Sequence, residues 1–485
     1  MVFSSVTFLF CFLPAVIFFY WLPDFCFTVK SFFGQETATA IDNKSLCSKY
    51  RRYKNIVLLI FSLIFYAWGE PTYVLIMILS IVCNYGFGML IDKYRNHDKA
   101  LIRLSLIFNL GLLFIFKYLC FTLQNIGYLI NKDFSDIKIV LPLGISFFTF
   151  QAMSYVIDVY KKKIAVQKSL LNLGLYISLF PQLIAGPIVR YETIANEIEN
   201  REENYDDFSE GIIRFIQGLA KKVIISNNIV YIAISAFEMP IEDITPAFAW
   251  LGVLGYALQV YFDFSGYSDM AIGLGRMFGF HFLENFNYPY IATTITDFWR
   301  RWHISMGTWF RDYVYFSLGG SRVSKGRHIF NLFAVWFLTG FWHGANWTFI
   351  AWGLYFFLLL ILEKQLDLTN KKTWWGHIYT LFFLLISMAI IRADNITYAF
   401  GYICKMLSVS TLFPLSDQFI FYLTEYKYVI AVGILFSLKL PIHLTLQNQQ
   451  QWKNYCTVAV TTILFLLCTI FLVQDTYNPF IYFNF

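Results

Sequence analysis

Hydrophobic runs long enough to cross a membrane recur along the whole chain. About 20 predominantly apolar residues form an α-helix that spans the hydrocarbon core of a bilayer. Runs of this length, separated by short polar segments, predict roughly ten to twelve transmembrane helices. The predicted spans are 6–23, 55–69, 72–91, 104–121, 137–160, 170–190, 211–236, 246–265, 329–362 (one helix or two), 376–392, 427–441 and 455–473.

The composition supports a membrane protein and excludes several other classes. Apolar residues make up 58% of the 485 residues and charged residues 14%, whereas soluble proteins average about 45–50% and about 25%. A chain this apolar cannot cover a globule with polar surface, so a soluble enzyme is excluded. The eight cysteines show no metal-ligand spacing. We therefore predict an all-α polytopic membrane protein that forms one domain over 1–485 and holds no metal.

The excess of basic residues predicts an orientation. Lys and Arg number 37 against 31 Asp and Glu. Basic residues concentrate in the predicted loops 34–54, 92–103 and 161–163, and two predicted spans separate each loop from the next. Positively charged loops stay on the cytoplasmic side. We therefore expect these three loops in the cytoplasm and the N-terminus outside.

The middle of the chain permits two topologies. Pro181 and Pro187 interrupt 170–190, so that this segment either crosses the membrane or re-enters it. The following stretch 192–210 holds eight carboxylates and a single base, Arg201. We interpret it as a solvated surface segment, whose side depends on whether 170–190 crosses.

Charged residues interrupt the apolar, Gly-rich run 256–280. They are Asp263, Asp269 and Arg276. Ionisable groups at bilayer depth cost roughly 2.5–3.5 kcal/mol each on insertion scales, so they face a bundle interior or a wet cavity. Two interpretations stay open: an internal Asp–Arg pair that fixes helix packing, or a direct catalytic role.

The run 329–362 contains no Asp, Glu, Lys or Arg, and His343 is its one group that titrates near neutral pH. A continuous helix of this length would extend about 50 Å, well beyond the hydrocarbon core of about 30 Å. We expect a break bracketed by Gly340 and Gly344, which would place His343 beside an internal cavity. An imidazole can accept a proton from a hydroxyl nucleophile at neutral pH, and Asn346 could orient the ring.

The segment 293–328 is the longest polar loop. Tryptophans at positions 299, 302 and 309 predict an interfacial helix with an aromatic belt. The loop either anchors anionic lipid headgroups or docks a phosphorylated acyl carrier, since arginine binds phosphate bidentately. Its charged and imidazole-bearing residues are Asp297, Arg300, Arg301, His303, Arg311, Asp312, Arg322, Lys325, Arg327 and His328.

Several motifs together resemble the membrane-bound O-acyltransferase (MBOAT) family. They are 285–291 (NFNYPYI), 296–305 (TDFWRRWHIS), 311–315 (RDYVY), 318–322 (LGGSR) and 342–347 (WHGANW), the last being similar to the family's signature histidine motif. Three further motifs resemble the bacterial branch that contains the alginate O-acetyltransferase membrane subunit. These are 1–5 (MVFSS), 142–150 (PLGISFFTF) and 261–269 (YFDFSGYSD). The resemblance covers 1–360, while 361–485 is similar only as a set of C-terminal hydrophobic helices.

The resemblance implies a ring of helices, with re-entrant and interfacial helices, around a central catalytic funnel. There a cytoplasmic acyl donor would meet an extracytoplasmic acceptor. His343 matches the family's signature histidine and His303 a second important histidine, so both are expected to be catalytic. We expect donor phosphates to contact three arginines of the polar loop and four further residues to support the site. The arginines are Arg300, Arg301 and Arg311, and the supporting residues are Asn346, Asp297, Asp312 and Trp342.

The expected function is O-acyl transfer in the bacterial cytoplasmic (inner) membrane. His343 would act as general base toward a hydroxyl that attacks an acetyl thioester, most simply acetyl-coenzyme A presented from the cytoplasm. The acceptor would be an extracytoplasmic polysaccharide, reached directly or through a secreted acetyltransferase partner. Alginate, cellulose, peptidoglycan and other glycans all stay open. No permanently bound cofactor and no nucleic-acid partner are expected.

Three other functions compete with this one. Within the family, the alternative is transfer of D-alanine to teichoic acid. A proton-coupled transporter or flippase would use Asp263, Asp269 and His343 as a proton relay. A non-catalytic membrane scaffold for exopolysaccharide assembly would retain its function without His343.

Overall fold

The structure is a computed structural model that describes residues 1–32, 40–134, 136–369, 371–408, 415–440 and 451–474, with the side chains of 26–48 left out. Every regular element in these ranges is a helix, which confirms the all-α prediction. The first ten α-helices are α1 (Leu13–Phe32), α2 (Ala40–Ala67), α3 (Val74–Lys93), α4 (Asp98–Leu113), α5 (Leu119–Ile130), α6 (Ile145–Tyr160), α7 (Leu170–Ser178), α8 (Phe180–Leu183), α9 (Tyr191–Asn200) and α10 (Tyr205–Ala220). The others are α11 (Asn227–Phe237), α12 (Pro246–Met277), α13 (Ile295–Arg301), α14 (Ile304–Trp309), α15 (Lys325–His343), α16 (Trp347–Gln365), α17 (Trp374–Arg392), α18 (Ile396–Met406), α19 (Asp417–Ser437) and α20 (Gln451–Gln474).

Short segments of other helix types connect some of these helices. The π-helical segments are Phe8–Phe12, Phe114–Tyr118, Lys221–Ser226 and Phe310–Tyr315, and the 3₁₀ segments are Arg95–His97 and Pro289–Ile291.

Nine helical stretches of the described residues are long and apolar enough to cross a membrane. The chain is therefore a multi-pass membrane protein. The nine stretches are Phe8–Phe25, Val74–Lys93, Arg95–Ile130, Tyr205–Phe237, Pro246–Met277, Trp347–Gln365, Trp374–Arg392, Asp417–Ser437 and Gln451–Gln474.

The chain divides into two compact units that interleave in sequence. Unit 1 comprises Met1–Cys120, Ser135–Phe215 and Met270–Phe282. Unit 2 comprises Phe121–Phe134, Ile216–Asp269 and Leu283–Phe485. The single domain expected over 1–485 stays a prediction.

Within unit 1, the proline-interrupted segment 170–190 is broken as expected. The helix α7 ends at Ser178, and the short helix α8 follows with Pro181 in its first turn. Proline is tolerated there because the amide of a first-turn residue has no helical partner. The amide of Phe180 donates instead to Ser62 Oγ at 3.0 Å. The break therefore packs inside unit 1 with this backbone donor satisfied.

The polar segment 34–54 is not a loop where the structure describes it. Residues 33–39 lie outside the described residues, and from Ala40 onward the chain belongs to α2. Two of the basic residues in this stretch, Arg51 and Lys54, form ion pairs. Lys54 Nζ lies 3.1 Å from Glu203 and 2.8 Å from Asp24, and Arg51 also pairs with Glu203.

The interpretation of 192–210 as a solvated surface is wrong at Arg201 and Glu203. The side chain of Arg201 is buried, donating from Nη1 to Asn55 Oδ1 at 2.7 Å and from Nε to Tyr20 Oη at 3.0 Å. Burial by itself raises the pKa of Glu203. The hydrogen bond from Tyr20 and the cationic side chains around the carboxylate outweigh burial, so that this pKa is lowered. The segment therefore holds an ionic cluster that connects α1, α2 and the α9–α10 turn.

An internal Asp–Arg pair in 256–280 was also the wrong expectation. In unit 2, Asp263 Oδ1 lies 2.7 Å from Lys222 Nζ, and Asp269 Oδ2 lies 2.5 Å from Lys221 Nζ. In unit 1, Arg276 pairs with Glu210 and with Asp207. Asp269 and Arg276 are seven residues apart on one helix, about 10 Å along its axis. That separation is too long for a pair, so each charge takes a partner from another segment. The second interpretation, a direct catalytic role for these charges, stays a prediction.

In unit 2, the run 329–362 forms the two helices α15 and α16, with the break at Gly344 rather than at Gly340. A Cβ on Gly340 would lie 2.4 Å from the Phe349 carbonyl oxygen and 3.2 Å from Gly353 Cα. A Cβ on Gly353 would lie 2.4 Å from the Trp336 carbonyl oxygen. These two glycines therefore let α15 and α16 cross at close range immediately before the break.

Candidate active site

His343 is the last residue of α15 and lies where the chain leaves the helix. Its side chain is buried, and Gly344 continues in an extended conformation. Asn346 then begins α16, since its Oδ1 accepts a hydrogen bond from the Thr348 amide at 3.1 Å and its Nδ2 donates to the Asp394 carbonyl at 2.9 Å. Asn346 thus shapes the turn that follows His343. Its action on the imidazole stays a prediction.

His303 lies in the tight turn between α13 and α14. Its backbone adopts a left-handed conformation with φ 45° and ψ 54°, which few non-glycine residues take. The side chain is 0% exposed. Such a conformation persists only where the surroundings enforce it, and residues held this way concentrate at functional sites.

Asn285 determines the tautomer of His303. The Asn285 Oδ1 atom accepts hydrogen bonds from the Ser305 amide at 3.1 Å and from Ser305 Oγ at 2.9 Å. A backbone amide can only donate, so this contact identifies the oxygen end of the Asn285 side chain. His303 Nδ1 lies 3.2 Å from the same oxygen and must therefore carry the proton. His303 Nε2 is left as an acceptor, buried and without a hydrogen-bond partner among the described residues.

The surroundings of His303 favour its neutral form. Burial lowers the pKa of His303 well below its ordinary value, and the neighbouring His343 lowers it further. A neutral imidazole with Nδ1 protonated can accept a hydrogen bond at Nε2. This is the form that a hydroxyl donor could use.

Trp342 contacts both histidines. The ring centroids of Trp342 and His343 are 4.9 Å apart, and those of Trp342 and His303 are 6.1 Å apart. Phe264 packs against the imidazole of His303, with 4.6 Å between the two ring centroids. The structure therefore brings together His303, His343 and Trp342, three of the residues that the sequence indicated.

A small cavity of about 30 Å³ lies beside His343. Its walls are almost entirely apolar, and three tryptophans contribute to them. The lining residues are Tyr256, Val260, Phe298, Trp299, Trp302, His343, Trp352, Phe356, Ser387, Met388 and Ile391. All of them belong to unit 2, and the cavity is what the break after His343 was expected to create.

Two of the three predicted phosphate-binding arginines form ion pairs within the polar loop. Arg301 Nε donates to Asp297 Oδ2 at 2.9 Å, and Arg311 Nε donates to Asp312 Oδ1 at 2.8 Å. Arg300 is exposed. Two of the arginines are thus paired with the two acids that were expected to support the site, and the contact of all three with a donor stays a prediction.

Glu363 holds the polar loop in place and was not recognised from the sequence. Its buried carboxylate accepts hydrogen bonds from the amide of Thr296 at 2.9 Å, from Thr296 Oγ1 at 2.7 Å and from the amide of Ile295. It therefore satisfies the first backbone donors of α13, the helix that carries Trp299. The sequence signal was a lone carboxylate that directly follows the charge-free run.

In the sequence, Asn285 stands out only as the first residue of the motif 285–291. Its role depends on a contact across 18 to 20 residues of chain, which no local pattern predicts.

As for metals, the described part of the chain contains no group of three or more His, Cys, Asp or Glu side chains placed to hold an ion.

In this all-helical membrane protein, His343 lies beside the cavity, and both His343 and His303 contact Trp342. Residues 162–410 match the membrane-bound O-acyltransferase family, and the chain belongs to this family. It is a multi-pass membrane O-acyltransferase.

Three relatives with different names indicate the range of the family. A "probable alginate O-acetylase" of Pseudomonas aeruginosa is 39% identical over 85% of this chain and 76% of its own length. A peptidoglycan O-acetyltransferase of Helicobacter pylori is 33% identical over 89% of this chain and 92% of its own. A teichoic acid D-alanyltransferase of Bacillus subtilis is 33% identical over 48% of this chain and 61% of its own.

Proposed function

We propose that this protein transfers an acetyl group from a thioester donor to hydroxyls of an extracytoplasmic polysaccharide, with His343 as general base. The observation that carries the proposal is the position of His343 at a helix break, beside a small apolar cavity and close to a second, neutral histidine. The names of the Pseudomonas and Helicobacter relatives support acetyl as the group and a glycan as the acceptor.

In the proposed reaction, the imidazole of His343 accepts the proton of the attacking hydroxyl. His303 accepts a hydrogen bond at Nε2 and orients a hydroxyl or a water at the site. General base catalysis of this kind typically contributes about 10²–10⁴-fold to the rate. The hydroxyl belongs either to the glycan or to a secreted acetyltransferase partner that passes the acetyl group on.

Acetyl-coenzyme A on the cytoplasmic side of the inner membrane is the proposed donor. The apolar walls of the cavity beside His343 suit the methyl group of an acetyl donor. Arg300, Arg301 and Arg311 remain the proposed contacts for the donor phosphates. Of these, Arg300 is the exposed arginine whose guanidinium makes no ion pair within the described residues.

D-alanyl transfer to teichoic acid is the second candidate, because a relative with that name matches half of the chain. The cavity beside His343 argues against it. The ammonium group of D-alanine would need polar partners, since burying a charge among apolar side chains is costly, and the lining is almost entirely apolar. Rates with acetyl and D-alanyl thioesters, measured side by side on the purified protein, would separate the two candidates.

Substitution of His343 tests the proposal in cells. His343→Ala should abolish acetyl esters on the extracellular glycan, while the variant accumulates in the membrane at the wild-type level. His97→Ala is the matched control, because His97 is exposed in a 3₁₀ turn between α3 and α4, and it should acetylate normally. Wild-type acetylation by His343→Ala would refute the assignment.

A further inference from the structure

Two indole N–H groups at the candidate site have no hydrogen-bond partner among the described residues. They are the Nε1 atoms of Trp299 and Trp352, and both atoms are buried. Buried tryptophans usually find a partner for this donor, and a buried donor without one costs about 1–3 kcal/mol. Both tryptophans line the same cavity, so their two donors without partners require an explanation.

Trp352 packs directly against His343, and Trp299 packs against Trp352. The ring centroid of Trp352 is 4.9 Å from that of His343, with the two planes at 79°. Trp299 lies next to Trp352, with 5.6 Å between the centroids. The cavity that these three side chains share is the space into which a reacting acyl group would fit.

The two donors are held rigidly. Trp299 packs against Trp336 at 4.8 Å and Phe356 at 4.9 Å between ring centroids, and Trp352 packs against Phe356 at 5.1 Å. Trp299 belongs to α13, whose first turn is fixed by Glu363. Donors that are already in place when charge develops stabilise a transition state without reorganisation.

We propose that the Nε1–H groups of Trp352 and Trp299 form an oxyanion-binding pair that donates hydrogen bonds to the acyl oxygen during transfer. The inference rests on the proposed function, because it assigns these donors to the tetrahedral intermediate of acyl transfer at His343. It makes both tryptophans catalytic residues.

The acyl oxygen carries the negative charge of the tetrahedral intermediate. The hydroxyl oxygen forms a bond to the acyl carbon, its proton passes to the imidazole of His343, and the carbonyl π electrons move to the acyl oxygen. The two indoles bind this oxyanion. When the carbonyl re-forms, the C–S bond breaks and the leaving thiolate takes the proton from His343, which yields an ester and a free thiol.

Removal of one indole N–H group should lower kcat and have little effect on the binding of acetyl-coenzyme A. Loss of a single oxyanion donor typically reduces kcat by about 10²–10³-fold. Trp352→Phe removes the N–H group but also part of the ring. Replacement of Trp352 by benzothienylalanine, in which sulfur stands in place of the N–H group, keeps the ring size and the packing.

The experiment measures kcat and KM for acetyl-coenzyme A with purified protein in lipid vesicles. We expect Trp352→Phe and the benzothienylalanine variant to lose about 10²–10³-fold in kcat, with KM close to the wild-type value. Trp375→Phe is the matched control, because Trp375 is exposed at the start of α17 and does not line the cavity, and it should keep its kcat.

Three outcomes distinguish a failure of the oxyanion pair from a failure of the proposed function. An inactive His343→Ala together with a benzothienylalanine variant of normal kcat would refute the oxyanion pair and leave the general base in place. A raised KM with unchanged kcat would also refute it, since the indole would then serve ground-state packing. Full activity of His343→Ala would refute the proposed function itself.

Discussion

His303 depends on a single amide oxygen for its tautomer. The Oδ1 atom of Asn285 accepts from Ser305 and from His303, while its Nδ2 atom donates to Ser268 Oγ at 3.1 Å. The proton on Nδ1 and the acceptor at Nε2 follow from this arrangement. The low pKa of His303 follows from burial and from His343, so the pH dependence of the reaction should respond to a charge placed at position 285.

Asn285→Asp should shift the acid limb of the pH–rate profile to higher pH. The carboxylate still accepts the hydrogen bond from Nδ1, but its negative charge favours the imidazolium and raises the pKa of His303 toward its ordinary range. Since the reaction needs neutral His303, a larger fraction of the enzyme is inactive at each acidic pH.

The measurement is kcat between about pH 5 and pH 8, the range in which a histidine titrates, for the wild type and the variant. Asn204→Asp serves as control, since Asn204 is exposed at the start of α10. An unchanged acid limb in Asn285→Asp would show that the protonation of His303 does not govern the rate.

The site was only partly predictable at the scale of single residues. His343 could be predicted physically because it stands alone in a charge-free run, where an imidazole at membrane depth needs a reason. His303 was indicated only by the family motif, since a polar loop rich in arginine gives no reason to single it out. Trp299 and Trp352 could not be assigned, because an unpartnered indole is visible only once its neighbours are known.

At the scale of elements, the most informative feature is the close crossing of α15 and α16. Gly340 and Gly353 face each other there, and either Cβ would collide with a backbone carbonyl. His343 of α15 and Trp352 of α16 both line the cavity, so a change in the crossing of these two helices should also disturb the cavity.

Gly340→Ala should reduce both stability and activity. Its Cβ would lie 2.4 Å from the Phe349 carbonyl oxygen, a backbone atom that can move only if the helices separate. Overpacking of this kind typically costs about 1–3 kcal/mol. Thermal unfolding in detergent and the acetylation rate measure the two effects.

Gly326→Ala is the matched control on the same helix. A Cβ at Gly326 meets nothing within 4 Å, and alanine favours a helix over glycine by about 1 kcal/mol. This variant should be as stable as the wild type or more so. Equal stability of the two variants would contradict the close crossing.

Most helices were predictable, and the exceptions have physical reasons. Hydropathy located the nine membrane-length stretches because each is a long apolar run. The predicted span 137–160 is helical only from Ile145, since Pro142 precedes it and Gly144 takes a positive φ. The extension of α2 to Ala40 was missed because the segment is rich in basic residues, two of which, Arg51 and Lys54, pair with Glu203 far away in sequence. Residue 441 of the predicted span 427–441 lies outside the described residues.

At the scale of the whole molecule, the low charge content predicted the membrane but not the pairing of the charges. Unit 2 contains two ion pairs, Lys222 with Asp263 and Lys221 with Asp269. Unit 1 contains the ionic cluster around Glu203, in which this carboxylate pairs with Arg51 and Arg201. Burying one member of such a pair without the other would be strongly destabilising. The orientation of the chain, with its basic loops in the cytoplasm, stays a prediction from the positive-inside rule.

A single assay tests the proposed role of His343. We propose that His343 catalyses acetyl transfer from a donor on one side of the membrane to a glycan on the other. Purified protein is placed in sealed vesicles that contain acetyl-coenzyme A labelled in the acetyl group. A hydroxyl-bearing oligosaccharide, and the secreted partner where one is required, are added outside. We expect labelled ester on the external oligosaccharide with the wild type and none above background with His343→Ala. Labelled ester formed by His343→Ala at the wild-type rate would contradict catalysis by this histidine.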